Sequence, residues 1–72
     1  GGITRQVIRY VAHYVFVKSN CRRLTVRTKK RNKHILKLAP RYGFKYECIA
    51  KQYFPDDDAV VFRMLKEDCK WL

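Results

Sequence analysis

Residues 43–65 read GFKYECIAKQYFPDDDAVVFRML, and the order of chemistry along this stretch decides the fold class. Gly43 follows an apolar helical pattern and is free to take the left-handed backbone that closes a helix. Lys45 to Phe54 then reads as a strand. Pro55-Asp56-Asp57-Asp58 is a turn, because proline presets one dihedral and aspartates bond neighbouring amides. From Ala59 to about Lys66, Val60, Phe62 and Met64 alternate with Val61, Arg63 and Leu65, the period of a strand. The three aspartates admit two readings, a tight hairpin with solvated carboxylates or a divalent-cation site.

Working back from Gly43, Asn32 is placed to cap a helix that holds Ile35, Leu36 and Leu38, which Pro40 ends or kinks. Before it, from Cys21, Leu24, Val26 and Thr28 alternate with Arg23, Thr25 and Arg27, predicting a strand with one basic face. Lys18-Ser19-Asn20 is a turn. Thr4 is an N-cap, and Val7, Ile8, Val11, Ala12 and Val15 recur at helical spacing, which predicts a helix over about 4 to 17. The element order is therefore α-β-α-β-β. The expectation is an α+β fold, one domain over residues 1–72, with a small, mainly antiparallel three-stranded sheet packed by two helices.

The chain has 72 residues, 47% of them hydrophobic and ten aromatic, enough to fold and too few for a deep cavity. Seventeen lysines and arginines against six acids give a formal charge of +11. A potential of that size draws anions such as nucleic acid, nucleotide phosphates or acidic proteins. Arg22, Arg23, Arg27, Lys29, Lys30, Arg31 and Lys33 form the candidate anion-binding set. If they share one face, neutralising about five phosphates would make binding steeply salt-dependent. Tyr10, Tyr14, Tyr42, Tyr46 and Tyr53 either stack bases or fill the core.

Cys21, Cys48 and Cys69 are odd in number and lack a C-x-x-C pair, which argues against a disulfide framework and a zinc knuckle and fits a reducing cytoplasm. His13 and His34 match no metal-ligand spacing. No apolar run approaches a membrane span, and there is no signal-peptide layout. Nucleophile motifs such as G-x-S-x-G are absent, which speaks against a conventional hydrolase.

Asn32, then Gly43-Phe44-Lys45-Tyr46-Glu47, then a strand, an acidic turn and the ending Val60-Val61-Phe62-Arg63-Met64-Leu65 with Trp71-Leu72 carry a resemblance over residues 2–72. The chain is similar to the C-terminal half of GNAT-type N-acetyltransferases, especially phage and bacterial members. The resemblance implies that the first strand pairs with the last. It also implies that Gly2-Ile3-Thr4 ends the loop whose amides hold the pyrophosphate of acetyl-CoA at a helix N-terminus. Thr4 stands where the family has Gly or Ala, and a plain helix cap after a leftover tag is the alternative. Asn32 matches a position that contacts the acyl-CoA chain, with a plain cap again the alternative.

Three departures bear on activity. Ala39 occupies the position of the family's tyrosine general acid, Cys48 that of a glycine, and Pro40 interrupts a helix that normally continues. The first half of the fold, with its acceptor site and oxyanion donor, has no counterpart here. The expectation is an acyl-CoA-binding, acetyltransferase-related module that is not catalytically complete. A truncated domain exposes a sheet edge, so a homo-oligomer or pairing with another chain is expected. The alternative is a non-enzymatic, phage-type basic protein that binds nucleic acid or an acidic host protein.

Overall fold

A computed structural model describes residues 4–72; Gly1, Gly2 and Ile3 lie outside the described residues. The elements are helix α1 (Arg5–Ala12), continued by wider π-helical turns (His13–Lys18), strand β1 (Arg23–Lys29), helix α2 (Lys33–Arg41), strands β2 (Lys45–Phe54) and β3 (Asp57–Leu65), and a short 3₁₀ turn (Lys66–Asp68). Both helices, three strands and their order match the sequence expectation. The change of winding after Ala12 was not foreseen. It shows in the hydrogen bond from the Ser19 amide to the Tyr14 carbonyl, five residues back, at 2.9 Å.

The sheet has the order β1-β3-β2, all antiparallel. The last strand is thus the central one, and the first pairs with it from Arg23↔Leu65 to Lys29↔Ala59. On one face Val60, Phe62 and Met64 of β3, with Leu24 and Val26 of β1, meet Ile8, Ala12 and Phe16 of the first helix and Ala39 of α2. This is the core. Val7, expected on the core face of α1, is half exposed instead, and Phe16 takes its place. Ile8, Ala12 and Phe16 are spaced by four, so they form one stripe, and Val7, about 100° round the helix from Ile8 and farther from Ala12, lies well off it.

Ala59 and Val61 point away from the helices, yet they too are buried. They stand beside Lys29 and Arg27 of β1 and beside Ala50 and Cys48 of β2. The stems of the long cations cover apolar surface while their heads stay in water. Arg27 also lies over the Tyr53 ring at 5.5 Å. The outer face of the sheet is thereby closed at its centre by side chains alone.

Helix α2 ends as the sequence expected. Pro40 sits in its last turn, and Gly43 has φ +98°. The Phe44 amide donates to the Ala39 carbonyl and the Gly43 amide to the Pro40 carbonyl, both at 3.1 Å. This pair of bonds is the Schellman closure, with Phe44 and Ala39 buried together beneath it. The C-terminal tail returns to the same place, where the Trp71 indole N–H donates to the Tyr42 carbonyl at 2.7 Å.

Candidate functional site

Thr4 caps α1: its Oγ1 accepts from the Val7 amide at 3.2 Å, and its carbonyl accepts from Ile8. The first turn carries no acidic residue. The amides of Arg5 and Gln6 have no acceptor among the described residues, so this end of the helix presents donors of positive potential. Gly2 and Ile3, the other two expected cofactor contacts, lie outside the described residues. Asn32 caps α2, its Oδ1 accepting from the Ile35 amide at 3.4 Å. Ala39, at the general-acid position of the resemblance, is buried and supplies no proton donor.

The seven cations of the candidate anion-binding set are divided by the fold. Alternation along β1 sends Arg23, Arg27 and Lys29 to the outer face, Lys30 and Arg31 fall in the turn that follows, and Lys33 opens α2. Three of the seven bond carboxylates. Arg23 forks onto Glu47 with two bonds of 2.6 and 2.7 Å, and Arg63 approaches the same carboxylate at 3.5 Å. Lys29 and Arg31 both reach Asp56, Lys29 at 3.0 Å, and Arg31 also lies 3.7 Å from Asp57. Arg22, Arg27 and Lys33 meet no carboxylate in an ion pair among the described residues, and Lys30 exerts only a long-range pull on Asp58.

Sequence reasoning missed Glu47 as a partner, because a β-bulge brings it there. Tyr46 stands opposite Phe62 and Cys48 opposite Val61, so Glu47 is an extra residue on β2 that turns outward between Arg23 and Arg63. Nothing in the local sequence marks a bulge without glycine. The aspartates of the hairpin also act on backbone. Asp58 accepts from the Gln52 amide at 2.8 Å, holding the second β2 irregularity, where Gln52 has φ +53°. Asp57 accepts from the Arg31 amide at 2.8 Å and so ties the hairpin to the β1–α2 turn. Among the described residues no group of three or more His, Cys, Asp or Glu is placed to hold a metal ion.

These contacts set a pH dependence. The Arg23 hydrogen bonds, with the charges of Arg23 and Arg63, hold the Glu47 carboxyl below its ordinary range. The Lys29 hydrogen bond and the Arg31 charge do the same for Asp56, and the Gln52 amide with Lys51 for Asp58. A carboxylate whose folded pKa is depressed contributes stability that is present above its unfolded pKa and lost as pH falls through the folded one. The melting temperature is therefore expected to hold at neutral pH and fall below about pH 4, where unfolded carboxyls titrate. Repulsion among seventeen cations adds to the fall. Glu47→Gln should flatten the acid limb; an unchanged limb would mean that the Arg23–Glu47 fork carries no stability.

Of the five tyrosines, Tyr10, Tyr14, Tyr46 and Tyr53 are exposed, and only Tyr42 packs against the core. Tyr53 meets Phe54 edge to face with centroids 5.0 Å apart. The exposed four answer the choice between stacking and core in favour of surface positions.

No family model matches the sequence, and no curated protein does. Solved structures do match. A mutant of the spermidine N-acetyltransferase SpeG from Vibrio cholerae superposes with a TM-score of 0.82 at 21% identity, covering 94% of this chain and 41% of that one. A ribosomal-protein-S5-alanine acetyltransferase from Vibrio fischeri gives a TM-score of 0.77 at 25% identity, covering 96% and 40%. The chain has the fold of part of a GNAT acetyltransferase, consistent with its C-terminal half. It spans about two fifths of the length of the proteins it matches. No helix among the described residues is long and apolar enough to cross a membrane.

Proposed function

We propose that this chain is an acetyltransferase-related module that binds acyl-CoA at the N-terminus of α1 and does not catalyse acetyl transfer by itself. The observation that carries the reading is the helix start at Thr4, acid-free and with donors to spare, in a fold matched to acetyltransferases. Helix N-termini favour phosphates through their free N–H groups and their dipole. Arg5, exposed in the first turn, adds a full positive charge beside them. Gly2 would let the backbone approach a pyrophosphate, since glycine has no Cβ to obstruct it, and Ile3 would offer its amide. Asn32 uses its Oδ1 as a cap and keeps its amide N–H groups for the acyl arm of the cofactor. Acetyl-CoA would supply the activated acyl group, and the acceptor site would come from parts of the fold that this chain does not span.

Titrating isotope-labelled protein with acetyl-CoA tests this directly. Saturable amide shifts are expected at Gly2 to Gln6 and around Asn32. Asn32→Asp should preserve the cap and weaken the second set, because a carboxylate caps as well as an amide but cannot donate. Silence at millimolar ligand would sink the reading.

A second reading has its own observation, that Arg22, Arg27 and Lys33 meet no carboxylate in an ion pair among the described residues. These cations, with Lys30, would neutralise phosphates of a nucleic acid. Three of the seven cations already serve Glu47, Asp56 and Asp57, so the salt slope would correspond to about four phosphates or fewer, against the about five expected from the sequence.

A further inference from the structure

Helix α1 and its π-helical continuation carry two apolar stripes. Ile8, Ala12 and Phe16 face the core, and on nearly the opposite side stand Val7, Tyr10, Tyr14 and Val17. These four are 50%, 71%, 50% and 56% exposed. Val7, Tyr10 and Tyr14, at steps of three and four, follow one side of the helix as a seam, and Val17 continues them in the wider π-helical turns. Tyr10 and Tyr14 are already aligned, with ring centroids 6.5 Å apart and planes 25° from parallel. Together with His13, Val17 and Lys18 they line a shallow depression.

The rim of this seam has one sign. Arg9, one helical turn before His13, borders the depression, and Lys18 lies over the Tyr14 ring at 5.6 Å. Residues 1–46 contain no aspartate or glutamate; all six acids come from Glu47 onward. Those that pair with cations do so at the outer sheet face and the hairpin, against β1, the turn after it, Lys51 and Arg63. The seam therefore has cations beside it and no carboxylate of its own helix to neutralise them.

We propose that the Val7-Tyr10-Tyr14-Val17 seam is a docking surface for an acidic, amphipathic helical segment of another polypeptide. Its apolar stripe would lie along the tyrosines, and its carboxylates would meet Arg9 and Lys18. Charge decides against a second copy of this chain, which brings +11 and the same cationic rim to the contact. The seam is also narrow and holds no Leu, Phe or Trp, which suits a helix better than a bilayer surface.

The probe is a peptide as long as the Arg5–Lys18 helix, with leucines at alternating three- and four-residue steps and glutamates flanking them. A control peptide replaces the glutamates by lysines. Labelled full chain titrated with the acidic peptide is expected to show saturable shifts confined to α1 and its continuation. Tyr10→Ala with Tyr14→Ala should weaken binding at least about tenfold, as loss of central aromatic anchors does. Both side chains are exposed, so the fold should survive, and an unchanged melting curve checks that. Arg9→Glu with Lys18→Glu should reverse the preference between the two peptides.

Three results would overturn the proposal. One is silence with the acidic peptide at millimolar concentration, and a second is equal binding of both peptides. The third is occupation of the seam by something else: concentration-dependent dimerisation through α1 in sedimentation, or loss of the α1 signals on anionic phosphatidylserine vesicles without any response to peptide.

Discussion

Phe16→Ala is expected to remove about 3 to 5 kcal/mol of stability, the cost of deleting a buried aromatic side chain together with the cavity it leaves. Phe16 is wholly inaccessible and, with Met64, is one of the two largest side chains so enclosed. It belongs to the π-helical turns, so its ring anchors the irregular half of the first helix to the sheet core. A domain of this size has about 4 to 10 kcal/mol to lose. The variant should therefore melt far below the parent or be partly unfolded at room temperature, as read by circular dichroism during urea titration. Phe16→Leu should recover much of the difference, because it refills most of the volume. A change under about 1 kcal/mol for the alanine variant would show that the wide turns are not docked on the core.

Gly43→Ala is expected to cost about 1 to 2 kcal/mol, the penalty for a Cβ in left-handed backbone. The residue sits at φ +98°, between the amide bonds that close α2. An added Cβ would stand 3.5 Å from the Met64 Cε, an ordinary contact, so the loss belongs to the backbone and not to a clash. Asn tolerates such conformations better than other residues, and Gly43→Asn should lie between the two in urea midpoint. Equal midpoints for Ala and Gly would mean that the helix exit relaxes into another turn.

The fold was legible wherever a local pattern coincided with a terminating residue. The β2–β3 hairpin is written in two periodic runs around Pro55-Asp56, and the observed β2 covers the expected residues. Helix α2 is written between Asn32 and Gly43, one capping each end. Thr4 caps α1 for the same reason. The core face of the first helix was read less well. Val7, Ile8, Val11, Ala12 and Val15 are all apolar, and hydrophobicity alone cannot rank neighbours when a second apolar stripe exists. The π-helical winding, in which Phe16 is buried, has no mark in residue propensity.

Of the candidate site, the cap roles of Thr4 and Asn32 follow from residue type and position. The fate of the seven cations does not. Three of the charges are answered by Glu47, Asp56 and Asp57 across long sequence gaps, Arg23 to Glu47 through a bulge and Arg31 to Asp57 across the hairpin end. A single sequence shows the charges but not these pairings, because strand register and bulges decide them.

The central place of β3 in the sheet has a kinetic consequence. Both ladders run through the last of the three strands, and β1 reaches it across more than forty residues at the Arg23↔Leu65 end. Closing such a loop costs entropy before any contact offsets it, and chains dominated by distant pairings fold slowly. The neighbouring strands β2 and β3 form a local hairpin, which is the natural nucleus. β1 and the core-facing stripe of the first helix can settle only once that hairpin exists. During synthesis the whole cationic portion up to Tyr46 therefore emerges with neither its sheet partner nor its carboxylates, and stays open until β3 has followed it.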